Sequence, residues 1–337
     1  MRGAPTVIYM MFKAMFLRPV AAILAACLMV LSGGAFLSGG DEYDVRDPEK
    51  CALNFSVLSD THLETNNLAR AKVYIGALKN VKKNKSGNDA IVFLGDNTMN
   101  GQLVENLLFH GVAAALLKNE TVLPVMGNHD IGNGEGDYEK LQNRWYTFTG
   151  AFFGRELEHP YYYEVIDGFY FIVLGQEAHT VYEMTMTDAQ FTWLEGVLDE
   201  AAGSGKPVFV FAHFPADDAA DEDGNYTDRL IDILAAYNEE HDLFSFVGHT
   251  HMPMLLFWSF HTYDGFPETY LPRMTSLSGD TEITEDSGVG VEVEVYENEV
   301  LIRARNFYSG EWAIDDLDDV PLEVTYPLKN PLPEANG

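Results

Sequence analysis

Val122 to Asp130 reads VLPVMGNHD. A short, mostly apolar run of the kind that fills a strand buried on both faces passes, without a polar spacer, into Gly, Asn, His and Asp. A surface turn accounts for the glycine and the asparagine. It gives no reason for a histidine and an aspartate beside them. The stretch reads as a buried strand whose C-terminal end delivers polar side chains to a site.

The same device recurs on either side of it. Upstream, LNFSVLSD ends at Asp60 and continues into His62, and AIVFLGD ends at Asp96. Downstream, PVFVFAH ends at His213, and LFSFVGHTH carries His249 and His251. Helical spacing separates these runs. In LARAKVYIGALKNVKKN, Ala71, Tyr74, Ile75 and Leu78 share one face. QLVENLLFHGVAAALLKN, DAQFTWLEGVLDEAA and the region around Ile231 to Tyr237 follow suit. YYYEVIDGFYFIVLG reads as a hairpin turning on Asp167-Gly168. GVGVEVEVYENEVLIRARNF reads as a late two-stranded ribbon. This alternation predicts an α/β fold with mixed strands and one domain over residues 51–308. Residues 1–40 stand apart, residues 41–50 (DEYDVRDPEK) read as an acidic linker, and residues 309–337 read as a loose, proline-rich C-terminal tail.

In open α/β sheets, ligands sit in the crevice beyond the carboxyl ends of the strands. Here those ends supply Asp60, His62, Asp96, Asn128, His129, Asp130, His213, His249 and His251. Imidazole mixed with carboxylate and amide oxygen suits first-row metals, whereas calcium cages use oxygen alone. The candidate ligands are too many for one tetrahedral ion and suit two ions sharing a carboxylate. Two ions roughly 3.5–4 Å apart clamp the attacking and leaving oxygens of an in-line displacement.

Asp-x-His, Gly-Asp, Gly-Asn-His-Asp, His and Gly-His-x-His, in that order from Asp60 to His251, resemble the calcineurin-like metallophosphoesterases. DAQFTWLEGVL also resembles the Gln-x-x-Trp-Leu helix of the bacterial cyclic-nucleotide phosphodiesterase-like branch. The resemblance implies a four-layer αββα sandwich of two mixed β-sheets, and two metal ions whose identity (Mn, Fe or Zn) stays open. Asp60, His62 and His251 would hold the first ion, Asn128, His213 and His249 the second, and Asp96 would bridge them. His129 would act on the phosphoryl group, and Asp130 would steady the turn. Gly95, Gly127 and Gly248 would let the backbone turn sharply where no side chain fits. Met99 stands where purple acid phosphatases carry a tyrosine ligand, and GDNTMNG lacks the second Asp and the Arg of the serine/threonine protein phosphatases. The implied activity is hydrolysis of small phosphomonoesters or phosphodiesters by a hydroxide shared between the metals. The alternative is a non-catalytic metal-binding module of the same fold serving a partner protein.

Residues 1–40 hold Arg2, Lys13 and Arg18, no acidic residue, and the apolar run PVAAILAACLMVLSGGAFLSGG. That is the layout of an export signal or, uncleaved, of a membrane tether, and it predicts an extracytoplasmic body. LAAC at residues 24–27 also resembles a lipoprotein cleavage box. The whole chain carries −31, and the body without the three N-terminal positive charges is more acidic still. Such a surface repels polyanions, so a nucleic-acid polymer is not the expected partner. The remaining histidines (His110, His159, His179, His241 and His261) read as surface or satisfied core residues, with His179 a candidate for the pocket rim. RWYTFTGAFFG reads as packing before it reads as a lid over the substrate. Asp217, Asp218, Asp221, Glu222 and Asp223 read as a solvated loop, and Cys51 as a small apolar residue.

Overall fold

A computed structural model describes residues 40–332 except residues 263, 316 and 318. The segment read as an export signal or tether therefore lies, but for Gly40, outside the described residues. Among those described, no helix is long and apolar enough to cross a membrane.

The first half of the chain alternates β1 (Leu53–Leu58), α1 (Leu68–Val81), β2 (Ala90–Phe93), α2 (Leu103–Leu116), β3 (Thr121–Pro124) and α3 (Tyr138–Phe153). The hairpin β4 (Tyr162–Ile166) and β5 (Phe169–Val173) leads to α4 (Asp188–Ala202), β6 (Val208–Phe211), α5 (Arg229–Glu240) and β7 (Leu243–Val247). Short pieces follow: α6 (Leu256–Ser259), β8 (Phe260–His261) and β9 (Glu268–Tyr270). The chain closes with β10 (Val289–Val295), β11 (Glu299–Asn306), β12 (Glu311–Trp312), β13 (Ile314–Asp315), β14 (Val320–Pro321) and β15 (Glu323–Pro327).

Two mixed sheets result. One runs β12-β11-β10-β1-β2-β3 with β15 also on β11, and the other runs β8-β9-β7-β6-β5-β4. β1, β2 and β3 are mutually parallel, as are β5, β6, β7 and β9. Period-two alternation sends successive side chains of one strand into different layers. Phe55 and Val57 enter a core between the sheets, where Phe171, Phe209, Phe211 and Phe246 meet them. The Phe55 ring lies 4.8 Å from Phe209 and 5.0 Å from Phe171, edge to face. Ile91 and Phe93 point the other way, to α1 and α2, while Val208 and Val210 point to α4 and α5. Helices outside, two sheets inside: the four-layer αββα sandwich is the observed architecture.

Local chemistry sets the helix starts. Asn67, Asp137 and Thr187 each accept a backbone N–H from the first turn of α1, α3 and α4, and Gly154 ends α3 in the left-handed region at φ 72°. Both residues of the Asp167-Gly168 turn have positive φ, 48° and 81°, as a two-residue hairpin of this type requires.

RWYTFTGAFFG packs as expected: it runs along α3 to the Gly154 cap, and Leu141, Trp145, Phe148 and Phe152 form one buried stripe at helical spacing. Three other expectations change. The late ribbon β10–β11 is not isolated. β10 pairs antiparallel with β1, Leu53 opposite Val295, and becomes a central strand. The acidic linker is docked: Tyr43 and Val45 are buried, and Tyr43 and Lys85 bond through Lys85 N–H to Tyr43 O at 2.8 Å. It covers the outer face of β10, where the Tyr43 hydroxyl donates to Glu292 and the Arg46 N–H to Glu294 at 2.7 Å. The C-terminal tail is not loose either. β15 pairs with β11, Val300 opposite Tyr326, and Leu322, Leu328 and Leu332 join the inter-sheet core. Two of its prolines, Pro321 and Pro327, stand at strand ends, where a missing N–H costs the ladder nothing.

Candidate metal centre

The carboxyl ends of β1, β2 and β3 in one sheet and of β6 and β7 in the other open on a common edge. Backbone hydrogen bonds tie them: Asp60 N–H to Gly95 O at 3.1 Å, His62 N–H to Asp96 O at 2.8 Å, Gly248 N–H to His213 O at 3.0 Å. Of the nine non-glycine residues with positive φ among the described residues, five are Asp60, His62, Asp96, His249 and His251. Each is a strained backbone held by its surroundings.

Their side chains converge. His251 Nε2 lies 2.9 Å from Asp60 Oδ1 and 2.9 Å from His62 Nε2. On the other side, His213 Nε2 lies 3.0 Å from Asn128 Oδ1 and 3.3 Å from His249 Nδ1. Asp96 stands between, its Oδ2 being 3.7 Å from His62 Nε2 and 3.3 Å from His213 Nε2. The ligand atoms of Asp60, His62, Asp96 and His251 form one group within 4.8 Å, and those of Asp96, His213 and His249 form another.

Second contacts fix which atoms face inward. His213 Nδ1 donates to Leu94 O at 2.8 Å, which leaves its Nε2 lone pair toward Asp96 and Asn128. Asn128 Nδ2 donates to Asn133 Oδ1 at 2.8 Å, which turns the amide oxygen inward. His129 Nδ1 donates to Met99 O at 2.8 Å. Lone pairs of carboxylate, amide and imidazole thus meet with too few hydrogens between them. A nitrogen–oxygen set of this kind fits two first-row metal ions with Asp96 shared.

The electrostatics agree. Burial opposes charge on Asp60, His62, Asp96, His213 and His249. At His213 the Asp96 and Asp60 carboxylates outweigh burial and push the imidazole up to about 9, so with no cation present the ring holds on Nε2 a proton that a bound ion would replace. At His62 and His249 burial prevails, and both fall to about 4, presenting neutral rings. Asp60 and Asp96 are held below the usual carboxylate range by the surrounding histidines, against burial.

At all three glycines no side chain fits, as expected, but only one needs the sharp turn. Gly95 alone adopts a left-handed backbone, φ 99°. Gly127 and Gly248 serve close approach instead: a Cβ on Gly127 would lie 2.3 Å from Asp96 Oδ1, and one on Gly248 would lie 2.1 Å from Ser59 Oγ.

His129 opens a one-turn 3₁₀ helix, His129–Ile131. Its side chain is 16% exposed against 1% for Asp96, and its Nε2 is 4.0 Å from Asp96 Oδ2, so it borders the cluster from the open side. Asp130 is fully buried and reaches no ligand atom. Its Oδ1 accepts from Thr98 N–H at 2.8 Å and Thr98 Oγ1 at 2.9 Å, and its Oδ2 from Gly127 N–H at 3.0 Å. It thereby ties the loop after β2 to the turn after β3.

Sequence reasoning missed the supporting residues Asn97, Thr98 and Asn133. The first two directly follow Gly-Asp in GDNT, a signal that was there to read. Arg70 was missed too: it is buried and donates to His62 O at 2.9 Å, with Nη1 3.2 Å from the Met99 sulfur. Gln190 of the Gln-x-x-Trp-Leu stretch is structural here. Its amide brackets Gly175, accepting from the N–H at 3.0 Å and donating to the carbonyl at 2.8 Å. His110 is a satisfied core residue between Asn106 O and Thr149 Oγ1, pushed down to about 3 by burial. His179 stacks on Tyr138 at 5.6 Å and belongs to neither ligand group. In the acidic loop, Asp221 Oδ1 accepts the backbone N–H groups of Asp223 and Asn225, at 3.0 and 2.9 Å, and closes the turn on itself.

The calcineurin-like phosphoesterase family model matches residues 53–253. A dimetal phosphatase from Danio rerio is similar in structure at TM-score 0.54 and 15% identity, covering 82% of this chain and 99% of that one. A purple acid phosphatase from yellow lupin (Lupinus luteus) seeds is similar at TM-score 0.56 and 12% identity, covering 81% of this chain and 53% of that one. At these identities the likeness speaks for the fold. Comparison with curated protein sequences gives no significant match. The match over residues 53–253, which spans every strand end that carries the cluster, settles the assignment: the chain belongs to the calcineurin-like phosphoesterases, hydrolases of phosphoester bonds.

Proposed function

We propose that this chain is an extracytoplasmic, dinuclear-metal phosphoesterase acting on small phosphomonoesters or phosphodiesters. In this reading Asp60, His62 and His251 hold one ion, Asn128, His213 and His249 hold the other, and Asp96 bridges. The observation that carries it is the placement of Asp96 Oδ2 between His62 and His213, 3.7 and 3.3 Å away. When bound, two such ions neutralise phosphoryl oxygens and bring the pKa of a water toward neutrality. Manganese, iron and zinc all accept this donor set.

The protein's own groups do the rest. Asp96 Oδ1 accepts the His129 N–H at 2.8 Å and so anchors the turn that presents the imidazole. With Nδ1 committed to Met99 O, a proton on Nε2 lets the ring pair with a phosphoryl oxygen and pass that proton to the leaving oxygen. Asp130 is a positioning residue. The net charge does not forbid an anionic substrate, because bound cations supply local positive charge. Export is supported by the positively flanked apolar run of residues 1–40. Membership of the cyclic-nucleotide phosphodiesterase-like branch rests on the DAQFTWLEGVL helix alone.

The test is elemental analysis of the purified protein beside hydrolysis of chromogenic phosphomonoesters and phosphodiesters with added manganese. Two metals per chain and turnover are expected. Bound metal with no turnover on any ester would instead establish the non-catalytic module.

A further inference from the structure

A cleft of ≈540 Å³ opens beside the metal cluster, with His251 and Arg273 at one end. Its size is that of a small-molecule site. Arg273 Nε is buried with no hydrogen-bond partner, and the guanidinium is near enough to the cluster for Asp60 and Asp96 to act on its charge. Part of the remaining wall is apolar: Met254, Leu255, Val289, Ile314 and Leu322. One side of the wall is closed by a hydrogen bond from Leu256 N–H to Asp315 Oδ2 at 2.8 Å, which joins α6 to β13. These same segments carry exposed apolar side chains, Phe257 and Trp258 on α6 and Ile314 on β13. Exposed Leu317 follows in the turn to β14. Ile314 lines the cleft itself, and exposed apolar groups on the segments that border it mark a binding surface.

Glu285, Asp286 and Glu311 line the cleft as well. None of the three forms an ion pair among the described residues, and all stand exposed to solvent. They would repel a second anionic group. We propose that this cleft is the leaving-group subsite, and that the substrate is a phosphoester whose leaving group is apolar and carries no negative charge. The inference rests on the phosphoesterase reading and adds the substrate class to it. In hydrolysis a P–O bond forms to the water oxygen, the P–O bond to the leaving group breaks, and a proton passes to the departing oxygen. The product released into the cleft is therefore an alcohol, and its chain lies along the apolar wall while the phosphoryl group stays at the His251 and Arg273 end.

Non-hydrolysable phosphonates test this by calorimetry on the full, manganese-loaded chain. Hexylphosphonate is expected to bind at least tenfold more tightly than methylphosphonate, and 6-phosphonohexanoate to lose that gain. Ile314→Asp should abolish the hexyl advantage and leave methylphosphonate affinity unchanged. Val165→Asp, at an exposed position on β4, should alter neither. Equal binding of methyl and hexyl ligands, or no binding of either, would overturn the subsite. So would tighter binding of 6-aminohexylphosphonate than of hexylphosphonate, which would credit the carboxylates instead of the apolar wall. Hydrolysis of methyl and hexyl phosphate esters is read separately: turnover of neither would overturn the phosphoesterase reading whatever the binding pattern.

Discussion

The two oxygens of Asp96 face different partners, Oδ1 accepting the His129 backbone N–H at 2.8 Å while Oδ2 lies 3.3 Å from His213 Nε2. The residue that would bridge the cations therefore also sets where the His129 imidazole stands. Asp96→Asn replaces one acceptor oxygen by an N–H group that confronts either His129 N–H or a ring nitrogen. The expected outcome is loss of metal from both positions and a fall in turnover of at least about 10²–10³-fold, the scale seen when one stabilising group is removed from an active site. Metal content per chain, measured on folded protein, decides it. Full occupancy in the variant would refute the bridging role.

His129→Ala should separate binding from chemistry. The imidazole lies outside both ligand groups, so two metals are expected to remain while kcat falls about 10²–10⁴-fold. Loss of metal together with activity would show that His129 has been given the wrong role.

Gly127→Ala probes the close approach of the turn after β3 to Asp96. The added Cβ would sit 2.3 Å from both Asp96 N and Oδ1, and neither can move without dragging the end of β2. A destabilisation of about 1–3 kcal/mol and a weakened second metal position are expected. A melting temperature and metal affinity equal to those of the parent would contradict the geometry.

Stability should respond to pH through Glu292. Burial pushes this carboxyl from 4.5 up to about 7, against the Tyr43 and Ser56 hydroxyls that hydrogen-bond it. A folded-state pKa above the unfolded one means that the folded chain binds the proton more tightly. The contribution is therefore complete below pH 4.5 and is lost as pH rises through about 7. The shift corresponds to about 3 kcal/mol. Glu292→Gln keeps an acceptor for Tyr43 and removes the titration, so the difference in unfolding free energy between variant and parent should grow in the variant's favour from pH 4.5 to 7.5. A constant difference across that range would refute it.

Much of this was legible in the sequence because the chemistry and the strand ends coincide. A buried parallel strand carries few polar side chains of its own, so Asp60, Asp96, Asn128, His213 and His249 stand out at the points where the apolar runs stop. The alternation of Phe55 and Val57, or of Val208 and Val210, needed only the period of a strand. What failed to show had its signal masked by composition. The prolines around Glu323–Pro327 hid a strand whose Leu322, Val324 and Tyr326 alternate correctly. The acidic residues of 41–50 hid Tyr43 and Val45, which cover two glutamates that would otherwise lie bare on β10. Arg273 offered no local signal, since it reaches the cluster only through the tertiary path of the loop after β9.

Five backbones in the left-handed region, at Asp60, His62, Asp96, His249 and His251, stay there because the layers behind them are rigid. Heat and a chelator then press on one equilibrium from opposite ends. Loosening the phenylalanine layer around Phe55, which holds no donor atom itself, would release those torsions and make the protein a poorer host for cations. By reciprocity, each cation bound raises the melting temperature.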